Sequence, residues 1–114
     1  MQFIDTHTHL DNPQLEADRS EVFARMREAG VAMSLIPNVD EESWPRMQAL
    51  QAEYPSSVRL MLGLHPCHVG EDWSEVLDRY EALWKATPDA FVAVGELGLD
   101  LYWDQTTLDR QVAA

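Results

Sequence analysis

The chain has 114 residues, 46% of them hydrophobic, and a formal net charge of -12. That apolar share is enough for one modest core and excludes a disordered chain. The excess of 20 Asp and Glu over 8 Lys and Arg excludes broad electrostatic adhesion to nucleic acid and suits a protein that collects cations, although solubility accounts for most of these charges. No apolar run approaches the ~20 residues of a membrane helix, so no membrane role is expected. The N-terminus lacks the basic start and apolar stretch of a signal peptide. Cys67 is the single cysteine, which rules out an internal disulfide and fits a reducing, cytoplasmic setting.

Gln2 to Asp5 reads as a short strand. Asn12-Pro13 signals a turn, and from there to Ala29 the positions Leu15, Val22, Met26 and Ala29 recur at helical spacing. Gly30 closes that helix as a left-handed cap. Val31 to Pro37 is almost continuously apolar, as in a parallel strand covered on both faces. After Asn38-Val39-Asp40, residues Trp44, Met47, Leu50 and Tyr54 mark a second helix, closed by Pro55. Val58 to Leu64 is a third buried run, with His65-Pro66 directly behind it. Trp73, Val76, Leu77, Tyr80, Leu83 and Trp84 give a third helix whose aromatic residues belong to the core rather than to a ligand site. Ala90 to Val94 is a fourth buried run, leading into Gly95-Glu96-Leu97-Gly98-Leu99-Asp100. Asp104 caps a last helix from Gln105 onward.

Strand and helix therefore alternate four times, the pattern of an α/β fold with a parallel sheet. The spacing of roughly 30 residues per unit matches a (β/α)8 TIM barrel, in which ~250 residues carry eight units. The expectation is the first four βα units of such a barrel, incomplete in this chain: residues 1–114 as the N-terminal half of a single barrel domain. The apparent helix running to Ala114 without a stop signal points the same way.

The polar residues that do not suit a core fall at the carboxyl ends of the strands. His7 and His9 follow the first strand, Asn38 the second, His65 the third and Glu96 the fourth. In an extended segment residues i and i+2 share a face, so His7 and His9 project together and form a pair of metal ligands. Glu96 stands in an apolar strand end, where an unpaired carboxylate is costly; a divalent cation offsets that cost, and the bland alternative is an ion pair with an arginine. Gly95 and Gly98 permit close backbone approach or unusual dihedrals. His65 contacts a substrate phosphate or water, or else caps its strand. Cys67 and His68 are read as structural or surface groups rather than as a second metal site. Asp5 and Asp11 serve as acceptors behind the histidines or as helix caps, and Asp100 and Tyr102 border the mouth of the site.

Asp5-Thr6-His7-Thr8-His9-Leu10-Asp11, Gly63-Leu64-His65-Pro66 and Gly95-Glu96-Leu97-Gly98-Leu99-Asp100, with Gln111 beyond them, resemble the motifs of the TatD family of metal-dependent deoxyribonucleases, a branch of the amidohydrolase-like TIM barrels. The resemblance covers the whole chain. It implies that His7, His9 and Glu96 bind one or two divalent ions (Zn, Mn, Ni, Fe or Mg) and that His65 positions the phosphate. It further implies hydrolysis of a phosphodiester of DNA, with the acidic surface favouring single strands or chain ends. The family's two later histidines and its later aspartate, the expected general base, have no counterpart in this chain. The remaining half of the barrel is expected in the same or a second chain. Two other readings stand: a metal-dependent amidohydrolase or PHP-like phosphoesterase on a small substrate, and a non-catalytic half-barrel that needs a partner.

Overall fold

The computed structural model describes residues 1–114. Four strands, β1 (Phe3–Asp5), β2 (Val31–Pro37), β3 (Val58–Leu62) and β4 (Phe91–Val94), lie side by side in sequence order and all run parallel. Helices α1 (Arg19–Glu28), α2 (Ser43–Glu53) and α3 (Trp73–Ala86) make the crossovers, and α4 (Leu108–Ala113) follows β4. This is the expected βα repeat, with β2 at its expected bounds.

The helices cover one face of the sheet. Ile36, Val58, Leu60 and Phe91 from the strands pack with Phe23, Met47, Leu50, Val76 and Tyr80 in a single core. Phe23 stacks on Tyr54 with ring centroids 3.7 Å apart. Phe91 lies between Trp44 and Trp84, at 5.0 and 5.3 Å. Stacked and tilted aromatic pairs at these separations fasten α2 and α3 to the strands. The third helix thus spends its aromatic residues on the core, as its periodicity predicts.

The other face is open. Phe3 on β1 and Val92 and Val94 on β4 are more than half exposed. On the helix side, at the β4 edge, an apolar groove of about 780 Å³ opens between α3 and α4, lined by Leu62, Val94, Leu97, Leu99, Trp84 and Val112 among others. Edge strands with unpaired backbone groups and an uncovered apolar face are the marks of a sheet that continues or closes elsewhere.

Three local expectations need correction. The first helix does not begin at the Asn12-Pro13 turn. A 3-10 turn at Pro13–Leu15 comes first, capped by the Asn12 side chain, which accepts from Gln14 N at 2.9 Å, and α1 begins at Arg19. The third strand ends at Leu62 rather than Leu64, because the backbone at Gly63 turns close against Glu96. Asp104 accepts from Thr106 N at 2.7 Å and so shapes the turn before α4, which starts only at Leu108. Gly30 does take the left-handed conformation expected of a helix cap, with φ +85°.

Candidate metal centre

The carboxyl ends of β1, β3 and β4 bring their polar side chains to one place. His7 Nε2 lies 3.5 Å from Glu96 Oε1, and His9 Nε2 lies 3.6 Å from Glu96 Oε2. One ligand atom from each of the three residues can be chosen so that all lie within 4.8 Å of one another. The two imidazole rings stand nearly perpendicular, 5.3 Å apart. These separations are too long for good hydrogen bonds. They are close to the ~3.3 Å that separates two donors bound tetrahedrally to one ion at ~2.0–2.1 Å. Glu96 Oε2 is buried and has no hydrogen-bond partner. A buried carboxylate oxygen left unpaired is expensive, and a cation is what offsets it. The donor set, two imidazoles and a carboxylate, fits a divalent metal. No arginine forms an ion pair with Glu96; the side chains around its carboxylate are the imidazoles of His7, His9 and His65.

Local backbone features fix these positions. Asp5 Oδ1 accepts from His7 N at 3.1 Å, and Thr8 N donates to Leu35 O at 3.2 Å. The histidine segment is therefore held at the backbone of His7 and Thr8. A Cβ on Gly63 would sit 2.8 Å from Glu96 O, and one on Gly95 would sit 3.2 Å from Met61 O. The two glycines let the ends of β3 and β4 press together, which sets Glu96 over the sheet. Gly98, at φ +128°, takes the unusual dihedral.

His65 is placed differently from the other two histidines. Its Nδ1 accepts from Cys67 N at 3.0 Å, capping the short 3-10 turn Pro66–His68. Its Nε2 lies 3.5 Å from Glu96 Oε1. With Nδ1 used as an acceptor, the neutral ring carries its proton on Nε2, so His65 offers a donor to the site where a ligand would offer a lone pair. Nδ1 thus caps the 3-10 turn that follows β3, and Nε2 is left beside Glu96.

Asp11 is not a helix cap. It is buried, and its Oδ2 lies 3.8 Å from Arg46 Nε on α2; Asn12 does the capping. Asn38 is buried and donates to Ser43 Oγ at 2.7 Å, so it organises the β2–α2 turn. His68 faces Asp40 at 3.7 Å, away from the three-residue cluster. Cys67 Sγ donates to Asp100 Oδ2 at 3.4 Å. Partial desolvation and that carboxylate raise the Cys67 thiol above its ordinary value. Asp100 is held below the usual carboxylate range by the Tyr102 backbone N–H and then by the Cys67 thiol. Gln111, buried on α4, clips Asp100 from both sides, accepting from its N–H at 2.8 Å and donating to its carbonyl at 2.9 Å.

The model of the TatD related DNase family matches residues 4–114. The chain belongs to that family. Among TatD relatives it is 34% identical over 110 residues to the uncharacterized metal-dependent hydrolase YjjV of Escherichia coli K12, covering 96% of this chain and 42% of that protein. It is 30% identical over 110 residues to the 3'-5' ssDNA/RNA exonuclease TatD of Pectobacterium carotovorum, again over 96% of this chain and 42% of the relative. The crystal structure of the E. coli TatD homologue YjjV superposes with a TM-score of 0.85 at 34% identity, over 97% of this chain and 42% of that one. A TatD family hydrolase from Entamoeba histolytica shares the fold at a TM-score of 0.80 and 22% identity. The chain thus spans about two-fifths of the length of the curated relatives it matches, which agrees with the open sheet of a partial TatD barrel. No helix is long and apolar enough to cross a membrane.

Proposed function

We propose that this TatD chain supplies the metal-binding part of a hydrolase that cleaves a phosphodiester of single-stranded DNA or a related nucleic acid. The observation that carries the reading is the convergence of His7, His9 and Glu96, with ligand atoms within 4.8 Å of one another and Glu96 Oε2 buried without a hydrogen-bond partner. In this reading His7, His9 and Glu96 would hold a divalent ion, which would supply an acidified water and offset the charge that builds on phosphate oxygens. His65 donates from Nε2 to a phosphate oxygen and so orients the substrate, while Glu96 sets the spacing between that donor and the histidine pair. The relative from Pectobacterium carries the name of a single-strand exonuclease, and the net charge of -12 favours single strands or chain ends over a long duplex.

Residues 1–114 form the N-terminal half of one barrel domain in this account. The rest of the barrel, in the same or a second chain, covers the open face beside β4 and supplies the general base. Intact mass of the purified protein, native and denatured, distinguishes the two arrangements.

The test of function is hydrolysis of a 5'-labelled single-stranded oligonucleotide by the purified protein with Mn, Zn or Mg added, before and after chelation. Metal-dependent shortening of the strand is expected. Cleavage that survives chelation, or activity confined to cyclic amides, would overturn the proposal.

A further inference from the structure

We propose that Asp100, gripped by Gln111, is a positioning residue that fixes the ring of His65 through Cys67, an inference that rests on the function proposed above for what His65 does. Neither Asp100 nor Gln111 belongs to the cluster of His7, His9 and Glu96. Gln111 is nonetheless buried, and its side-chain amide is turned on the main chain of Asp100. Its Oε1 accepts from Asp100 N at 2.8 Å, and its Nε2 donates to Asp100 O at 2.9 Å and to Thr107 Oγ1 at 2.8 Å. An amide that satisfies both the N–H and the C=O of one residue fixes that residue's orientation as well as its place.

The carboxylate of Asp100 is divided between two partners. Oδ1 accepts from Tyr102 N at 2.8 Å and shapes its own loop. Oδ2 reaches the loop after β3 and accepts from Cys67 Sγ at 3.4 Å. Asp100 is held below the usual carboxylate range, and an ionised acceptor strengthens a weak thiol donor. Cys67 is the middle residue of the 3-10 turn Pro66–His68, and its N–H donates to His65 Nδ1 at 3.0 Å. The direction of the imidazole therefore follows the position of Cys67, and Asp100 ties Cys67 down from outside the turn.

These contacts close a ring. Glu96 and Asp100 share the loop after β4, His65 and Cys67 share the loop after β3, and His65 Nε2 lies 3.5 Å from Glu96 Oε1. The two loops are thus joined twice, once at the site and once at the thiol. His65 cannot swing away from Glu96 without giving up its Nδ1 bond or moving Cys67 off Asp100. With Nδ1 kept as an acceptor, Nε2 keeps its proton and its aim. A donor that must meet a developing charge needs this kind of support behind it.

The experiment compares Asp100→Asn, Cys67→Ala and Cys67→Ser in the purified protein with Zn added. Asp100→Asn keeps an oxygen for Tyr102 N and removes the acceptor of the thiol. Cys67→Ala removes the thiol and keeps the N–H that His65 uses, and Cys67→Ser retains a side-chain donor. In imidazole nitrogen NMR at about pH 8.5, where histidine rings are neutral, His65 of the unaltered protein should show a bare Nδ1 and a protonated Nε2. Asp100→Asn and Cys67→Ala should shift it toward a mixture of tautomers, with the His7 and His9 signals and the bound metal unchanged, and Cys67→Ser should restore it. On a single-stranded oligonucleotide those two variants should lose about tenfold in kcat at constant KM. In a His65→Ala background Asp100→Asn should add no further loss. Unchanged His65 signals in Asp100→Asn and Cys67→Ala, or the full loss added on top of His65→Ala, would overturn the proposal. So would a parallel fall in bound metal, which would make Asp100 a support of the whole site. If Asp100→Asn does not fold, Cys67→Ala decides by the same signals. Failure of the unaltered protein to hydrolyse any phosphodiester would count against the proposed function, and the His65 signals would still decide the positioning role.

Discussion

His65 differs from His7 and His9 in which nitrogen it has to spare. Its Nδ1 is committed to Cys67 N, so Nε2 carries the proton of the neutral ring and serves as a donor. His65→Ala is therefore expected to lower kcat by about 10²-fold, the usual cost of one oriented donor to a developing charge, and to leave metal content unchanged. Steady-state kinetics with metal analysis checks this; loss of metal equal to that in His7→Ala would make His65 a ligand instead. Arg46 acts at a distance. It pairs with buried Asp11, two residues beyond His9. Arg46→Ala leaves that carboxylate buried and alone, which costs about 3–5 kcal/mol for a fully buried pair and less here because Arg46 is part exposed. Denaturant unfolding of the variant reads the loss directly.

The junction of β3 and β4 is where one element places another. Gly63 faces Glu96 O at a distance no side chain tolerates. Gly63→Ala should destabilise the fold by about 1–3 kcal/mol and displace Glu96, so urea midpoint and bound metal should fall together; a normal midpoint with full metal would contradict the crossing. A second contact ties the β2–α2 turn to α3: Arg79 holds Glu41 by two hydrogen bonds, at 2.6 and 2.8 Å. Arg79 thereby lowers the Glu41 carboxyl from its ordinary 4.5. A depressed carboxylate contributes stability above its ordinary pKa and loses it as pH falls through the folded value. Both groups are about half exposed, so solvent screens the pair and its contribution is small. Glu41→Gln should lower Tm slightly at neutral pH, and the difference from the unaltered protein should vanish as pH falls through the depressed folded value of the Glu41 carboxyl. At this scale the sequence was most legible. The near-continuous apolar runs at Val31–Pro37 and Val58–Leu64 announce parallel strands, although only one face of the sheet is covered here, and the alternation from Asp5 to His9 carries the histidine pair to one side. The Arg46–Asp11 pair was not legible, because it depends on how α2 docks against the sheet, and the two residues are 35 apart in the chain. The role of Gly63 was equally hidden: it arises from the approach of a strand that comes later. His65 looked like either a cap or a site residue, and only the structure shows that its Nδ1 caps a turn while its Nε2 lies beside Glu96.

For the whole molecule, the acidic surface and the open sheet set the terms. With a net charge of -12, binding of single strands should depend weakly on salt. The slope of log K against log salt should be that of one or two phosphate contacts, about -0.7 for each on a single strand; a slope near that of a many-phosphate duplex binder would refute it. The order β1-β2-β3-β4 with open edges, together with coverage of 42% of the E. coli relative, puts the candidate metal centre at the rim of a sheet that a TatD barrel would close. The three cluster residues come from two outer strands, β1 and β4, so the centre depends on the curvature of the sheet as much as on its motifs. Metal stoichiometry after equilibrium dialysis against Zn or Mn tests this centre most directly, on the unaltered protein, His7→Ala, His9→Ala, Glu96→Gln and a His68→Ala control. At least one bound ion is expected in the unaltered protein and the control, with a large loss in the other three variants. Full metal content in His7→Ala, His9→Ala and Glu96→Gln would contradict the account.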